Sequence, residues 1–123
     1  MITATMVVAT VQVTDLERAK AFYGDTLALM FLWESPVAVR YRCWPVSELS
    51  VFKRPPIVTE HTLAHFEVDD IEAAVQDLVD KGVVFLDYAE GPLATTGHIA
   101  QLGPARAAWF NDPDGNTLGL RQG

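Results

Sequence analysis

The sequence restates itself after 55 residues, and this internal repeat constrains the fold more than any other feature. Shifting the chain by that distance places Asp15 on Asp70 and aligns the residues on either side of them. In both copies an alternating run precedes the Asp, and residues with helical spacing follow it. The carboxylate of such an Asp accepts hydrogen bonds from the free N–H groups of the first helical turn. A repeat of this length predicts two paired modules rather than an extended array.

Both halves predict the same order of elements, βαβββ. Half of the residues are hydrophobic, which is enough for a single domain with a sizeable core. This domain is expected to cover residues 1–123, with modules at about 4–54 and 61–121 joined by a linker at 55–60. The predicted elements are strands at 6–13, 30–33, 37–44, 49–53, 61–68, 83–88, 105–111 and 116–121, helices at 15–28 and 70–81, and a short strand near 98–102 in a long loop.

Alternation along the first strand of each module separates its two faces. One face is expected to lie against the helix of its module; it carries Val7, Ala9, Val11 and Val13 in the first copy and Thr62, Ala64, Phe66 and Val68 in the second. We call the opposite faces the first and the second open face, because no helix is expected to cover them. Thr10 and Gln12 belong to the first, and Leu63, His65 and Glu67 to the second.

The formal net charge of −7 is unevenly distributed along the chain. Residues 1–55 contain six Lys and Arg against five Asp and Glu, whereas residues 56–123 contain three against eleven, a charge of −8. The sequence shows no basic patch that would neutralise phosphates, so nucleic acid is not an expected partner. The acidic half either favours a cationic ligand or only keeps the surface soluble.

Cys43 is the only cysteine, which excludes an internal disulfide and a multi-cysteine metal site and fits a reducing compartment. The N-terminal run lacks the basic segment of a signal peptide, and no apolar stretch approaches ~20 residues. The sequence therefore predicts a cytoplasmic protein without a membrane partner.

Three motifs resemble those of the vicinal oxygen chelate superfamily, which includes glyoxalase I, extradiol dioxygenases, fosfomycin-modifying transferases and bleomycin-resistance proteins. They are Val-Thr-Asp-Leu-Glu-Arg-Ala-Lys-Ala-Phe-Tyr at 13–23, its restatement at 68–74, and Trp-Phe-Asn-Asp-Pro-Asp-Gly-Asn at 109–116. The resemblance implies an α+β fold in which two βαβββ modules form a half-open barrel with the helices outside. It also implies a ligand in the concave face and a homodimer. Activity does not follow from the fold, since this family performs several chemistries on one scaffold.

The resemblance also implies where a metal ion would be bound, and this chain lacks ligands there. The positions seven residues before the helix caps are Val8 and Leu63, and the position in the last strand is Gly119. The fourth position is one of residues 50–52, none of which is a carboxylate or an imidazole. Val, Leu and Gly offer no oxygen or nitrogen side-chain donor to a divalent cation. We therefore expect neither a metal ion nor another cofactor.

His65 and Glu67 are the best remaining polar candidates. His61 lies four strand residues from His65, about 13 Å away, too far for one metal to bridge. His65 and Glu67, about 7 Å apart along the strand, could share a relocated metal with His98. They could equally contact a ligand, act as a metal-free acid/base pair, or form a polar pair in a dimer interface. His98 alone is expected to be an exposed loop residue.

The aromatic residues of the strands, where they face inward, are expected to form a stacking surface for a flat or amphipathic molecule. Arg40, Arg42, Arg106 and Arg121 are the strand cations, and Arg121 is either a contact for a ligand carboxylate or a residue of the strand end. The candidate ligand-binding residues are Thr10, Gln12, Trp44, Phe52, His61, Leu63, His65, Glu67, Trp109 and Arg121.

The leading hypothesis is a metal-free, resistance-protein-like member of this superfamily that sequesters a small, aromatic or cationic molecule. The first alternative is a glyoxalase-like lyase, isomerase or dioxygenase, with relocated metal ligands or with metal-free catalysis by His65 and Glu67. A second alternative is an accessory interaction module without a small ligand.

Overall fold

The computed structural model describes residues 2–57 and 59–123 of the chain. It divides into two compact units, Met1–Val58 and Thr59–Gly123, so that the boundary falls within the stretch assigned to the linker. Each unit contains one sheet and one main helical segment, which confirms the predicted mixed α+β class. No helix in the described ranges is long and apolar enough to cross a membrane.

The first unit has the predicted βαβββ order. Its elements are β1 (Val8–Val13), α1 (Leu16–Lys20) continued by a π-helical turn (Ala21–Thr26), β2 (Met30–Glu34), β3 (Ala38–Cys43) and β4 (Ser47–Lys53). The strand order is β1-β4-β3-β2, in which β1 runs parallel to β4 and the other neighbours are antiparallel. The first and last strands of the unit are therefore adjacent, with β1 at one edge of the sheet.

The helical segment of the first unit begins as predicted but changes its geometry halfway. The Asp15 carboxylate accepts a hydrogen bond from the Arg18 N–H at 3.1 Å and caps α1. The single helix predicted over 15–28 is wrong in detail, because a π-helical turn follows α1, and the Leu27 N–H donates to the Phe22 carbonyl at 2.8 Å. Gly24 lies within that turn.

The core of the first unit lies between the helical segment and one face of the sheet. Tyr23 is fully buried and its ring lies 6.3 Å from that of Tyr41. The other buried residues of this face are Val11, Val13, Val39, Leu49 and Val51. Val7 was expected in this set but is 87% exposed, because β1 begins only at Val8.

The second unit repeats the order and adds short strands. Its elements are β5 (Thr62–Glu67), α2 (Ile71–Asp80), β6 (Phe85–Leu86), β7 (Thr95–Thr96), β8 (Ile99–Leu102), β9 (Ala105–Asn111) and β10 (Thr117–Gln122). The strand order is β5-β10-β9-β8-β7, and β6 pairs with β9. The strand predicted over 83–88 shrinks to two residues, because the adjoining segment is held instead by Thr95, whose N–H donates to the Tyr88 carbonyl.

Helix α2 packs on the side of the second sheet that carries Phe110, Leu118 and Leu120, all of them buried. Its cap repeats that of α1, since the Asp70 carboxylate accepts from the Ala73 N–H at 3.1 Å. Ile71, Val75 and Leu78 form its buried stripe. The helix ends as predicted before Gly82, which has φ +88° and therefore suits a residue without a Cβ.

The turn between β9 and β10 is built around a buried carboxylate. Asp112 is 4% exposed, and its Oδ1 accepts from the backbone N–H groups of Asp114 and Asn116, while its Oδ2 accepts from the Asn116 amide. These three hydrogen bonds compensate for burying the charge. They explain why an Asp-Pro-Asp-Gly-Asn sequence forms this hairpin and aligns β9 with β10.

Candidate functional site

The second open face is formed by the side of the second sheet opposite α2. Strand pairing aligns four residues across it in one line, which we call the second row: His65, Gly119, Trp109 and Leu86. Glu67 pairs with Arg121 next to this row. Four of the predicted ligand-binding residues, His65, Glu67, Trp109 and Arg121, therefore meet on one surface.

Glu67 is held between two basic side chains. Nη1 of Arg121 lies 2.8 and 3.1 Å from the two carboxylate oxygens of Glu67, and Nε2 of His65 lies 3.4 Å from Oε1. The three side chains are between 43% and 58% exposed. His65 and Glu67, two residues apart on β5, thus contact each other through their side chains. The imidazole and the carboxylate both stay accessible to a ligand. A carboxylate so placed can orient an imidazole for hydrogen bonding or proton transfer.

Gly119 leaves a gap in the second row between a histidine and a tryptophan. A Cβ at this position would lie 3.2 Å from Cβ of His65 and 3.5 Å from Cδ1 of Trp109. A longer side chain at residue 119 would therefore have to displace one of these neighbours. Trp109 is supported by the Tyr88 ring, which meets it edge-on at 5.7 Å. The gap is thus bordered by an aromatic surface on one side and by a polar group on the other.

The strand registers identify the remaining family metal position. Thr10 pairs with Ser50 as His65 pairs with Gly119, so Ser50 corresponds to Gly119 in the repeat. The four positions are then Val8, Ser50, Leu63 and Gly119, which together supply one neutral hydroxyl. This set does not fit a divalent cation. Within residues 2–57 and 59–123, no three His, Cys, Asp or Glu side chains come together as a metal site requires.

The strand β5 contains an irregularity that alternation alone could not predict. Thr117 pairs with Thr62 and Leu118 with Ala64, so the ladder passes over Leu63. Strict alternation holds only from Ala64 onward. Leu63 was expected on the same face as His65 by strict alternation. Because Leu63 has no partner in the β5–β10 ladder, alternation does not fix its face.

His98 does not join His65. Its Nδ1 lies 2.8 Å from Oδ1 of Asp87, and its ring stacks on Phe85 at 5.4 Å. Phe85 pairs with Phe110 on the side of the sheet that α2 covers, opposite the second open face. A metal relocated to His65, Glu67 and His98 is thus not favoured by this arrangement. His61 is exposed and precedes β5.

Arg106 also lies on the α2 side. It donates hydrogen bonds to Glu72 of α2 and to Gln122 of β10, and Gln122 in turn accepts from the Ile71 N–H at 2.8 Å. A cavity of about 480 Å³ adjoins this network near Thr96. Arg106 therefore joins the helix to the sheet.

The first open face carries a charged cluster that the sequence only partly indicated. A line of four paired residues, the first row, crosses it: Thr10, Ser50, Arg40 and Trp33. Beside this row, Glu48 of β4 pairs with Arg42 of β3. Gln12 and Phe52 are half-buried and paired next to the row, whereas Trp44 is 81% exposed in the turn between β3 and β4.

Glu48 interacts with two arginines at once. Nη1 of Arg40 lies 3.0 Å from its Oε1, and Nη2 of Arg42 lies 3.4 Å from its Oε2. These hydrogen bonds, that from Arg40 foremost, lower the pKa of the Glu48 carboxyl, although desolvation acts in the opposite sense. Glu48 was missed because the Pro-Val-Ser-Glu stretch predicts a turn. The spacing of Arg40 and Arg42 on one strand face was the signal that could have found the cluster.

Comparison with known proteins agrees with these sheets. The model of the Glyoxalase/Bleomycin resistance protein/Dioxygenase superfamily matches residues 5–120. Among solved structures, TnmS3, an antibiotic-binding protein from Streptomyces sp. CB03234, is 27% identical with a TM-score of 0.73, covering 99% of this chain and 98% of its own. A glyoxalase/bleomycin resistance protein from the same organism is also 27% identical (TM-score 0.69; 96% and 100% covered). Lactoylglutathione lyase from Agrobacterium tumefaciens shares the fold at 19% identity (TM-score 0.70; 99% and 95% covered). No curated protein is a significant match.

Proposed function

The chain belongs to the Glyoxalase/Bleomycin resistance protein/Dioxygenase superfamily, and we propose that it binds a small aromatic molecule on its second open face without a metal ion. The observation that carries this proposal is the gap at Gly119, where the metal-dependent relatives carry a ligand. His65 and Trp109 border it. A flat ring that enters the gap would stack on the indole and accept or donate a hydrogen bond at the imidazole.

Sequestration requires only burial and complementary polar contacts, so this surface needs no catalytic group. TnmS3, whose description is that of an antibiotic-binding protein, supports the proposal by its 27% identity over nearly the full chain. A cationic ligand gains less support from the second open face, because Glu67 is already paired with Arg121. The surplus of negative charge in the second half then acts only at long range.

A thermal-shift screen over antibiotics, quinones and glyoxal adducts tests the proposal, because a ligand that binds only the folded state raises its apparent stability. Each compound is tested with EDTA and with added divalent cations. We expect at least one aromatic compound to raise the melting temperature equally in both conditions. Stabilisation that disappears with EDTA and returns with a cation would contradict metal-free binding.

Isothermal titration of the compound found by the screen then locates the site. Trp109→Ala is expected to weaken binding about tenfold or more, since stacking on one ring is worth ~1–2 kcal/mol. Phe31→Ala is the control, because Phe31 is another solvent-accessible aromatic residue that packs near Tyr41 on the helical side of its own sheet. Equal losses in both variants would place the ligand elsewhere.

A second candidate function is metal-free acid/base catalysis, favoured by the contact between Nε2 of His65 and the Glu67 carboxylate. An imidazole oriented by a carboxylate is a competent general base. If the ligand is also turned over, activity should survive chelation and disappear in His65→Ala. The ligand should still bind to that variant through the Trp109 ring, although more weakly, and loss of turnover at saturating ligand separates catalysis from binding.

The predicted homodimer is part of the proposal. Light scattering coupled to gel filtration should give twice the mass of the chain. A monomer at concentrations at which the ligand binds would show that dimerisation is not required.

A further inference from the structure

The first open face presents two arginines to one carboxylate. Arg40 and Arg42 are two residues apart on β3, so their side chains leave the sheet on the same face. Across the neighbouring strand, Glu48 lies directly opposite Arg42. The cluster therefore has one positive charge in excess, in a half of the chain that is otherwise near neutral.

The excess charge lies in a partly desolvated place. The Glu48 side chain is only 9% exposed, and those of Arg40 and Arg42 are 24% and 37% exposed. Charges in such positions are screened less by water and salt than fully exposed charges. An anion that reaches these guanidinium groups would therefore interact with them more strongly than with a surface arginine.

Both guanidinium groups have unused donors. In the described residues, Nε of Arg40 and Nε of Arg42 are buried without any hydrogen-bond partner. Each arginine gives one hydrogen bond to Glu48, out of the five N–H donors that a guanidinium carries. Leaving a buried charged donor unpaired costs free energy, which a suitable acceptor would recover after a small rotation of the side chain.

Trp33 adds a flat surface beside these charges. The guanidinium carbon of Arg40 lies 5.0 Å from the centre of the Trp33 ring, which holds the planar group by a cation–π contact. Trp33 is itself 47% exposed, so part of its ring is free to stack. Thr10 and Ser50 continue the first row on the other side with two hydroxyl groups.

We infer that the first open face binds the carboxylate of an aromatic ligand, with Arg40 and Arg42 as its partners and Trp33 as the surface for the ring. This inference goes beyond the proposed function, because it assigns a separate binding site for an anion to the other sheet of the chain. The planar fork of a guanidinium matches a carboxylate in two parallel hydrogen bonds. A dianionic phosphate fits less well, because Glu48 already neutralises one of the two arginines and would repel the second negative charge.

The pair of probes 2-naphthoate and 2-naphthamide tests the inference, since they share a ring system and differ in charge. In isothermal titration the naphthoate should bind about tenfold more tightly than the amide, as expected for charge-assisted hydrogen bonds. Arg40→Gln should remove this preference. Arg54→Gln, which changes an exposed arginine beyond β4, is the matched control and should keep it.

Glu48→Gln gives the test a second variant that retains both arginines. Without its carboxylate the cluster gains one positive charge, so affinity for naphthoate should rise about threefold, while affinity for the amide stays constant. Equal binding of the two probes to the wild type, failure of naphthoate to bind, or weaker binding of naphthoate to Glu48→Gln would each overturn the inference. The thermal-shift screen decides the proposed function separately, because a neutral aromatic compound can bind the second open face when naphthoate does not.

Discussion

Substitution of Gly119 tests whether the gap in the second row is truly bordered by His65 and Trp109. In Gly119→Ala the new Cβ would approach Cβ of His65 to 3.2 Å, closer than an ordinary contact. The His65 side chain is 53% exposed and can move, at about 0.5–1.5 kcal/mol for a displaced rotamer. Replacing Gly restricts the unfolded chain and returns about 0.4–1 kcal/mol. The net change in unfolding free energy should therefore stay within about 1 kcal/mol of zero.

The Cβ of a side chain at position 119 would lie 3.5 Å from Cδ1 of Trp109 and 3.5 Å from the carbonyl oxygen of Ala108. Gly119→Val adds two methyl groups to that Cβ and brings them still closer to these neighbours. Overpacking of this kind costs about 1–3 kcal/mol. Urea unfolding followed by tryptophan fluorescence measures the difference, and a loss of 2 kcal/mol lowers the midpoint by about 1 M at a typical slope of about 2 kcal/mol/M. Protein concentration is kept equal, because a dimer would make the midpoint depend on it.

Gly24→Ala is the matched control. Its Cβ would meet the Tyr41 side chain only at 3.5 and 3.7 Å, which are ordinary contacts, so this variant should gain up to about 1 kcal/mol. Combining Trp109→Ala with Gly119→Val should reduce the loss of unfolding free energy caused by the valine, because the crowded ring is removed. The coupling free energy in the double-mutant cycle should be at least about 0.5 kcal/mol. A Val variant as stable as Ala, or additive effects in the cycle, would refute the reasoning about the gap.

Three further predictions concern stability and reactivity. The Arg40 guanidinium lowers the pKa of the Glu48 carboxyl, so their interaction stabilises the fold fully above the ordinary carboxyl pKa of about 4.3, and this stabilisation is lost as pH falls through the lowered pKa. The urea midpoint should therefore fall less from pH 7 to pH 3 in Glu48→Gln than in wild type, and equal falls would contradict this. Phe110→Ala should cost about 3–5 kcal/mol by the same assay, because its ring is fully buried 5.5 Å from that of Phe85; a loss below 1 kcal/mol would show a collapsible site. Burial raises the pKa of the Cys43 thiol, so mass spectrometry should show slower alkylation by iodoacetamide at pH 8 in the native protein than in urea, whereas equal rates would show an accessible thiolate.

Local signals predicted the frame of each unit well. Both acidic caps, Asp15 and Asp70, accept the hydrogen bond that their position predicts. Strand β9 begins and ends where the hairpin pattern around the Asp-Pro-Asp-Gly turn placed it, at Ala105 and Asn111. These features depend on residues close together in the chain, for which propensity, capping and periodicity carry the information.

Features set by neighbouring strands were harder to predict. The pairing that passes over Leu63 in β5 and the pairing of Glu48 with Arg42 both depend on the register with another strand. A sequence pattern contains no direct signal for that register. His65 and Glu67 were singled out together because they lie on one strand, whereas Arg121 joined them only through its alignment with Glu67. The contacts of the site that were not predicted are therefore those between residues of neighbouring strands.

The two rows place different side chains at equivalent positions of one repeated frame. At the repeated position in the last strand of each module, the side chain is small, Ser50 in one and Gly119 in the other. Small residues there supply at most one neutral hydroxyl to a cation, but they leave room beside the next strand, which carries Arg40 beside Ser50 and Trp109 beside Gly119. The first row thereby presents a cation and the second an aromatic ring. Under the two proposals, the chemistry of the ligand is determined one strand beyond the metal positions of the family, and substitutions there should change which ligand binds more than whether the sheets fold.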